Sequence, residues 1–172
     1  MRQKDVYDNA TPSSSAMAAT ALARLGVITG RTDLVERGRA TLNLVSPIME
    51  RAPTAAGQSL IALDFVESPH QEIAVIAGAD PLEFRQAMNA VYARFLPRKV
   101  VTSAARGERV RLMADVPFLA DKASREGRTT TYVCYNSTCQ APGTSADAGS
   151  SALDLLDRQD QGHRQSLVKG FQ

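Results

Sequence analysis

The chain has 172 residues, of which 44% are hydrophobic and 22% charged, and its formal net charge is +2. These values are ordinary for a soluble globular protein, and the basic residues lack the density or interleaved aromatics of a nucleic-acid-binding surface. No apolar run is long enough to span a membrane, and the first ten residues lack the apolar stretch of a signal peptide. We therefore expect a cytoplasmic protein with neither nucleic-acid nor membrane partners.

The first third of the sequence has the spacing and capping residues of helices. Three are predicted, from Pro12 to Gly30, from Thr32 to a kink or end at Pro47, and from about Thr54 to Glu67. Because two long helices and a shorter one cannot enclose a complete core, we interpret residues 1–67 as helical hairpins from a larger helical array.

After Pro69 the pattern changes to short β-branched runs. Strands are predicted at 72–77, 99–102 and 130–135, with a helix at 81–95 and a weaker one at 110–120. A strand–helix–strand unit has a right-handed crossover and parallel strands. The predicted fold class is therefore mixed: helical hairpins followed by a small α/β unit, residues 69–147, with a short, mostly parallel sheet. Residues 148–172 are expected to form a short helix at 152–156 and a flexible tail from 158.

The sequence holds two cysteines, Cys134 and Cys139, in the stretch TTTYVCYNSTCQAP. Thioredoxin-type pairs have C-x-x-C spacing at the start of a helix, whereas these two have C-x-x-x-x-C spacing, with Cys134 inside a predicted strand and Cys139 after it. A structural zinc site needs four ligands, and only His70 and His163 could join the cysteines. We therefore favour two ordinary buried or half-buried thiols over a redox pair, which stays open as an alternative, and we predict no metal site.

Motifs for other chemistry are missing from the sequence. The turn at 78–81 has neither G-x-G-x-x-G nor G-K-[ST], so we predict no cofactor. The serines at 13–15 have no G-x-S-x-G motif and no histidine placed to activate them, and they read as cap and first-turn residues of a helix.

Six phrases in chain order carry a family resemblance. They are YDNATPS at 7–13, LGVITG at 25–30, APT at 52–54, QEIAVI at 71–76, LPRKV at 96–100 and TYVCYNSTCQAP at 131–142. Over about residues 5–147 the chain resembles the C-terminal end of the thioredoxin-domain-containing family related to spermatogenesis-associated protein 20. The resemblance implies an N-terminal thioredoxin-like domain and an (α/α)6 toroid similar to six-hairpin glycosidases and N-acylglucosamine 2-epimerases. It also implies that this chain is a fragment or a split product.

The same resemblance implies a carbohydrate ligand at the loop that opens the first helix. The candidate contacts are Tyr7, Asp8, Pro12, Ser13 and Ser15. Toroids bind sugars at loops of this kind, although a plain helix cap is the favoured interpretation of this one.

The chain also departs from the family pattern, which runs roughly Y-D-G-A-x-P-S-G-N-S at this loop. Asn9 replaces the first glycine, and Ser14-Ser15 replaces Gly-Asn, which puts a ligand contact at position 15 in doubt. The family's thioredoxin-type cysteines have no counterpart here. The helical part also has no histidine of the kind that the epimerase relatives use.

Three functions remain open from the sequence. The first is a C-terminal fragment of a toroid protein without autonomous catalysis, whose partner would be the missing toroid and thioredoxin portion or a second copy. The second is a non-catalytic binding or structural module. The third is a thiol redox protein that uses Cys134 and Cys139.

Overall fold

Helices form the first part of the chain, and a sheet with flanking helices forms the second. The computed structural model describes residues 5–135, 138–144, 153–159 and 161–162. It divides into two compact units, Met1–Pro69 and His70–Gln172. Within the described residues, no helix is both long and apolar enough to cross a bilayer.

The helical unit contains the three helices that the sequence predicts. They are α1 (Ser14–Thr29), α2 (Thr32–Arg51) and α3 (Gly57–Glu67), with a short 3-10 turn at Pro53–Ala55 before α3. Gly30 caps the end of α1 in the left-handed conformation, with φ of 67°, as a C-terminal glycine commonly does. Pro47 lies inside α2 and does not end it, since the helix continues to Arg51.

Small residues set the distance between α1 and α2. The inner face of α1 buries Ala16, Ala19, Ala23 and Gly26. A Cβ added at Gly38 of α2 would lie 3.0 Å from the carbonyl oxygen of Ala19, so the two backbones approach closely there. Small residues therefore fill the contact between α1 and α2, while larger side chains such as Leu42 and Phe65 are buried elsewhere in the unit.

The sheet of the second unit has four strands in the order β2-β1-β3-β4. They are β1 (Gln71–Ile76), β2 (Lys99–Ala104), β3 (Thr130–Tyr135) and β4 (Thr138–Cys139). The predicted strand–helix–strand unit is confirmed, because β1 and β2 are parallel and α4 (Pro81–Tyr92) connects them.

The prediction of a mostly parallel sheet was wrong. Among the described strands, β3 pairs antiparallel to β1, and β4 pairs antiparallel to β3. The reason lies in the connection 105–129. It leaves the carboxyl end of β2 and stays at that edge of the sheet, so that Thr130 of β3 pairs with Ile76, the last residue of β1.

Alternate residues of β1 serve two hydrophobic layers, as the period of a strand requires. Ile73 and Val75 pack with residues of α4 and of the helical segment 153–159. Ala74 and Ile76 pack on the other face against residues of the connection 105–129. The sheet is thus covered on both faces.

One helix prediction in this unit was wrong, and another was confirmed with different bounds. The predicted helix at 110–120 is instead a single turn, α5 (Arg109–Leu112), followed by a 3-10 turn at Pro117–Leu119. Pro117 lacks a backbone N–H for a continuous helix. The expected short C-terminal helix at 152–156 is observed at 153–159, and residues 161–162 are also helical. The rest of the expected tail lies outside the described residues.

Candidate functional site

The carboxylate of Asp8 holds the loop that the family resemblance singles out. One oxygen, Oδ1, accepts a hydrogen bond from the backbone N–H of Ser13 at 2.8 Å, and Oδ2 accepts one from the backbone N–H of Gln58 at 2.7 Å. The backbone N–H of Asp8 donates to the carbonyl oxygen of Ala55 at 2.9 Å. A single half-buried residue therefore connects the N-terminal loop to Ser13 and to Gln58, which lies 50 residues further along the chain.

Both partners of Asp8 lie at helix N-termini. Ser13 is the N-cap of α1, and its Oγ accepts the N–H of Ala16 at 3.1 Å. Gln58 lies in the first turn of α3, whose own N-cap, Ala56, makes no side-chain cap bond. Asp8 supplies the missing acceptor from elsewhere in the chain. A negative charge is favoured at this end of a helix because the first N–H groups are unpaired and the macrodipole is positive there.

A second contact reinforces the same junction. The side-chain Nε2 of Gln58 donates to Thr20 Oγ1 at 2.9 Å, and Thr20 Oγ1 donates in turn to the carbonyl oxygen of Ala16 at 2.9 Å. The sequence interpretation missed Gln58 and Thr20. They are 38 residues apart, and nothing in the local pattern around either one signals their contact.

The remaining candidate contacts are more open to solvent. Tyr7 is half exposed, Pro12 is exposed, and Ser15 lies in the first turn of α1 with intermediate exposure, whereas Ser13 is buried. The structure joins Asp8 to Ser13 by a direct hydrogen bond, and it gives Ser13 the cap role that the sequence favoured. The hydrogen bonds of Asp8 and Ser13 therefore hold a loop on which the side chains of Tyr7 and Pro12 are exposed.

Cys134 and Cys139 form a disulfide, so the favoured interpretation of two separate thiols was wrong. They face each other in the register of β3 and β4, which places their sulfurs within bonding distance. Cys134 is fully buried, whereas Cys139 is exposed. The disulfide links the two-residue strand β4 covalently to β3.

A buried lysine that the sequence interpretation overlooked lies on one face of the sheet. Lys122 Nζ lies 4.3 Å from the ring centroid of Phe118 and 5.5 Å from that of Tyr132, and it donates to Asp121 Oδ1 at 2.8 Å. That hydrogen bond lowers the pKa of Asp121. Burial raises the pKa of the nearby Glu72, and the charge of Lys122 opposes this shift. The contact with Tyr132 of β3 joins the connection to the sheet by a cation–π interaction, whereas Phe118 and Asp121 belong to the connection itself.

No group of three or more metal-ligating side chains occurs within the described residues.

The chain is similar to known proteins over 83% of its length. The chain is 28% identical over 142 residues to spermatogenesis-associated protein 20 of Homo sapiens and to that of Rattus norvegicus. It is 27% identical over the same length to the protein of that name from Mus musculus. No protein-family model matches the chain, and no solved structure matches it significantly.

These alignments cover most of this chain but only a small part of each relative. Each alignment covers 83% of this chain but only 18% of the relative, so the chain spans less than a fifth of the length of these relatives. This ratio fits a fragment of a larger protein of unclear function. The matches support a relation between this chain and the spermatogenesis-associated protein 20 family.

Proposed function

We propose that this chain is the C-terminal part of a larger protein of the spermatogenesis-associated protein 20 type, and that it has no catalysis of its own. In this proposal α1, α2 and α3 complete a helical array of the (α/α)6 toroid kind. The other hairpins come from a further segment, which also carries a thioredoxin-like domain. The relatives are several times longer than the matched region and so contain enough chain for such a segment.

The observation that carries this proposal is a row of exposed apolar side chains on α1. Met17 and Leu25 are 48% and 49% exposed, and they lie with the exposed Ala21 at positions i, i+4 and i+8, which share one face of a helix. On α3, Ile61 is 53% exposed. The opposite face of α1 is already buried inside the unit, so this apolar row needs another partner. Contiguous apolar surface of this kind marks an interaction site.

A carbohydrate is the ligand that we assign to the completed array. Tyr7 and Pro12 would contact it, since both are exposed beside the N-terminus of α1, and Ser15 would approach it from the first turn. Asp8 and Ser13 would keep the loop in shape rather than react, because their polar atoms bond to the backbone of the two helices.

The test uses the purified full chain and a dye that fluoresces on apolar surface. We expect dye binding and self-association in sedimentation, and both should fall in the double variant Met17→Gln, Leu25→Gln. The matched control is Leu44→Gln on α2, where the side chain is also exposed but lies outside the row. Exposed substitutions change stability by only about 0.5 kcal/mol, so each variant should remain folded.

Two results would contradict the proposal. The first is a monomeric chain that binds no dye and melts in a single two-state transition, because such a chain completes its own core. The second is an equal loss of dye binding in the control variant, since the row on α1 would then have no special role.

A further inference from the structure

A cavity of about 200 Å³ opens in the α/β unit at the carboxyl ends of the parallel strands β1 and β2. Ile76 and Ala77 line it from the end of β1, and Ala105 lines it from the residue after β2. In α/β sheets, ligands bind in the crevice outside the carboxyl ends of parallel strands, where the connecting loops diverge. Neither the loop around Asp8 nor the disulfide contributes to this cavity.

The connection 105–129 forms the outer wall of the cavity and is held in place at two points. The hydroxyl of Tyr132 bonds to both backbone groups of Ala123, accepting from its N–H at 3.1 Å and donating to its carbonyl oxygen at 2.8 Å. Arg109 Nη1 donates to the carbonyl oxygens of Leu119 and Ala120 at 3.1 and 3.0 Å. The cavity is therefore formed by the fold itself and needs no ligand to shape it.

The charged side chains that line the cavity are all basic. Arg106 and Arg109 lie among apolar or small lining residues, and none of the lining residues that the structure describes is acidic. The side chain of Arg106 is exposed and makes no hydrogen bond or ion pair within the described part of the chain. A guanidinium offers five N–H donors in a planar fork, and those of Arg109 that bond to other described residues are on Nη1. Such forks match the oxygens of carboxylate and phosphate groups.

The backbone beside the cavity contains a turn that requires a glycine. Gly107 follows Arg106 with φ of 84°, a left-handed conformation that glycine adopts without strain. Nothing lies within 4 Å of the position that its Cβ would occupy, so the turn, and not crowding, requires the glycine there. This turn fixes the direction in which the chain leaves β2 and passes Arg106 around the mouth of the cavity.

We propose that this cavity binds a small organic anion: a compact apolar body that carries one carboxylate or phosphate group. The apolar body contacts Ile76, Ala77 and Ala105, and the anionic group pairs with Arg106 and with the remaining donors of Arg109. The volume is below the range of about 300–1,000 Å³ that drug-sized ligands occupy, so the ligand is smaller than those.

The test is a titration of the full chain followed by amide NMR. The probes are benzoate, phenyl phosphate, their neutral analogue benzamide, and inorganic phosphate. We expect saturable shifts at residues 76–77, 105–110 and 123–124 with at least one of the two organic anions, and whichever binds more tightly identifies the anionic group. Arg106→Gln should weaken that binding about tenfold or more, as the loss of a charged hydrogen bond does.

Two further variants make the result decisive. Arg111→Gln removes an exposed charge from the same connection outside the lining, and it should leave the affinity unchanged. Ala105→Leu adds volume inside the cavity and should block both organic anions while the amide spectrum stays dispersed. The proposal is overturned if no probe gives saturable shifts, or if benzamide or inorganic phosphate binds as tightly as the organic anions. An equal loss in both arginine variants would also overturn it.

Discussion

Replacing Asp8 by alanine should destabilise the helical unit more than any other single change of an exposed or half-buried charge there. The substitution removes the acceptor for two backbone N–H groups, those of Ser13 and Gln58. A hydrogen bond to a charged group contributes about 1.5–3 kcal/mol, and the half-exposed position lets water replace part of each bond. We therefore expect Asp8→Ala to lower the free energy of unfolding by about 2–4 kcal/mol. Asp8→Asn keeps one acceptor oxygen and should lose about half of that.

Urea unfolding followed by circular dichroism measures these losses, and hydrogen exchange at the amides of Ser13 and Gln58 localises them. The matched control is Asp5→Ala, which removes the same charge from an exposed position two residues before Tyr7. The control should change stability by no more than about 0.5 kcal/mol. If Asp8→Ala and Asp5→Ala were equally mild, or if neither amide exchanged faster in Asp8→Ala, the carboxylate would not be holding the two helices together.

Three further predictions concern the α/β unit. Because burial raises the pKa of Glu72 above its ordinary 4.5, the native state binds its proton more tightly than the unfolded state, and this residue's contribution to stability falls as pH rises through the raised value. The stability of Glu72→Gln relative to the wild type should therefore increase as pH rises above 4.5 and through the raised pKa, as measured by urea unfolding. A difference that stays constant with pH would refute this. The disulfide between Cys134 and Cys139 closes only a short loop, so its reduction should lower the free energy of unfolding by about 2 kcal/mol. Urea unfolding with and without reductant measures this loss, and reductant should not change the stability of the double serine variant. Gly78→Ala places a Cβ 2.4 Å from backbone atoms of the facing turn and should cost about 3 kcal/mol or more, whereas Gly162→Ala, with open space around it, should not.

Local patterns predicted those parts of the fold that depend on neighbours in sequence. Helix starts are predicted by the capping residues at Thr11 to Ser13 and at Asp80-Pro81. In the structure, Asp80 Oδ1 accepts a hydrogen bond from the backbone N–H of Leu82 at 2.8 Å. The parallel pairing of β1 and β2 followed from one strand–helix–strand unit with a fixed hand. The direction of β3 could not be predicted in this way, because a connection of 25 residues without strong periodicity can return to either edge of a sheet.

The candidate site depends on contacts that no local pattern encodes. The role of Asp8 requires Gln58, 50 residues away, and the cavity at the sheet edge requires the direction of β3. Arg106 and Arg109 belong to no motif that marks a site in the sequence, and their position at the carboxyl ends of β1 and β2 emerges only from the topology. The disulfide was missed for a similar reason. A two-residue strand has too little pattern to reveal that Cys139 turns back beside Cys134.

The disulfide between Cys134 and Cys139 is unusual for a protein that the sequence predicts to be cytoplasmic. Disulfides persist in oxidising compartments and are rare in the cytoplasm, where they are usually transient or redox-sensing. Cys139 is exposed and Cys134 is buried, so an attacking thiolate reaches the sulfur of Cys139 first. Reduction would release β4, which pairs with β3 over two residues, while the six-residue pairing of β3 with β1 holds Cys134 in place. Reduction or oxidation of the disulfide would therefore change the edge of the sheet and leave its hydrophobic layers intact. The protein could thus undergo a thiol redox change without unfolding.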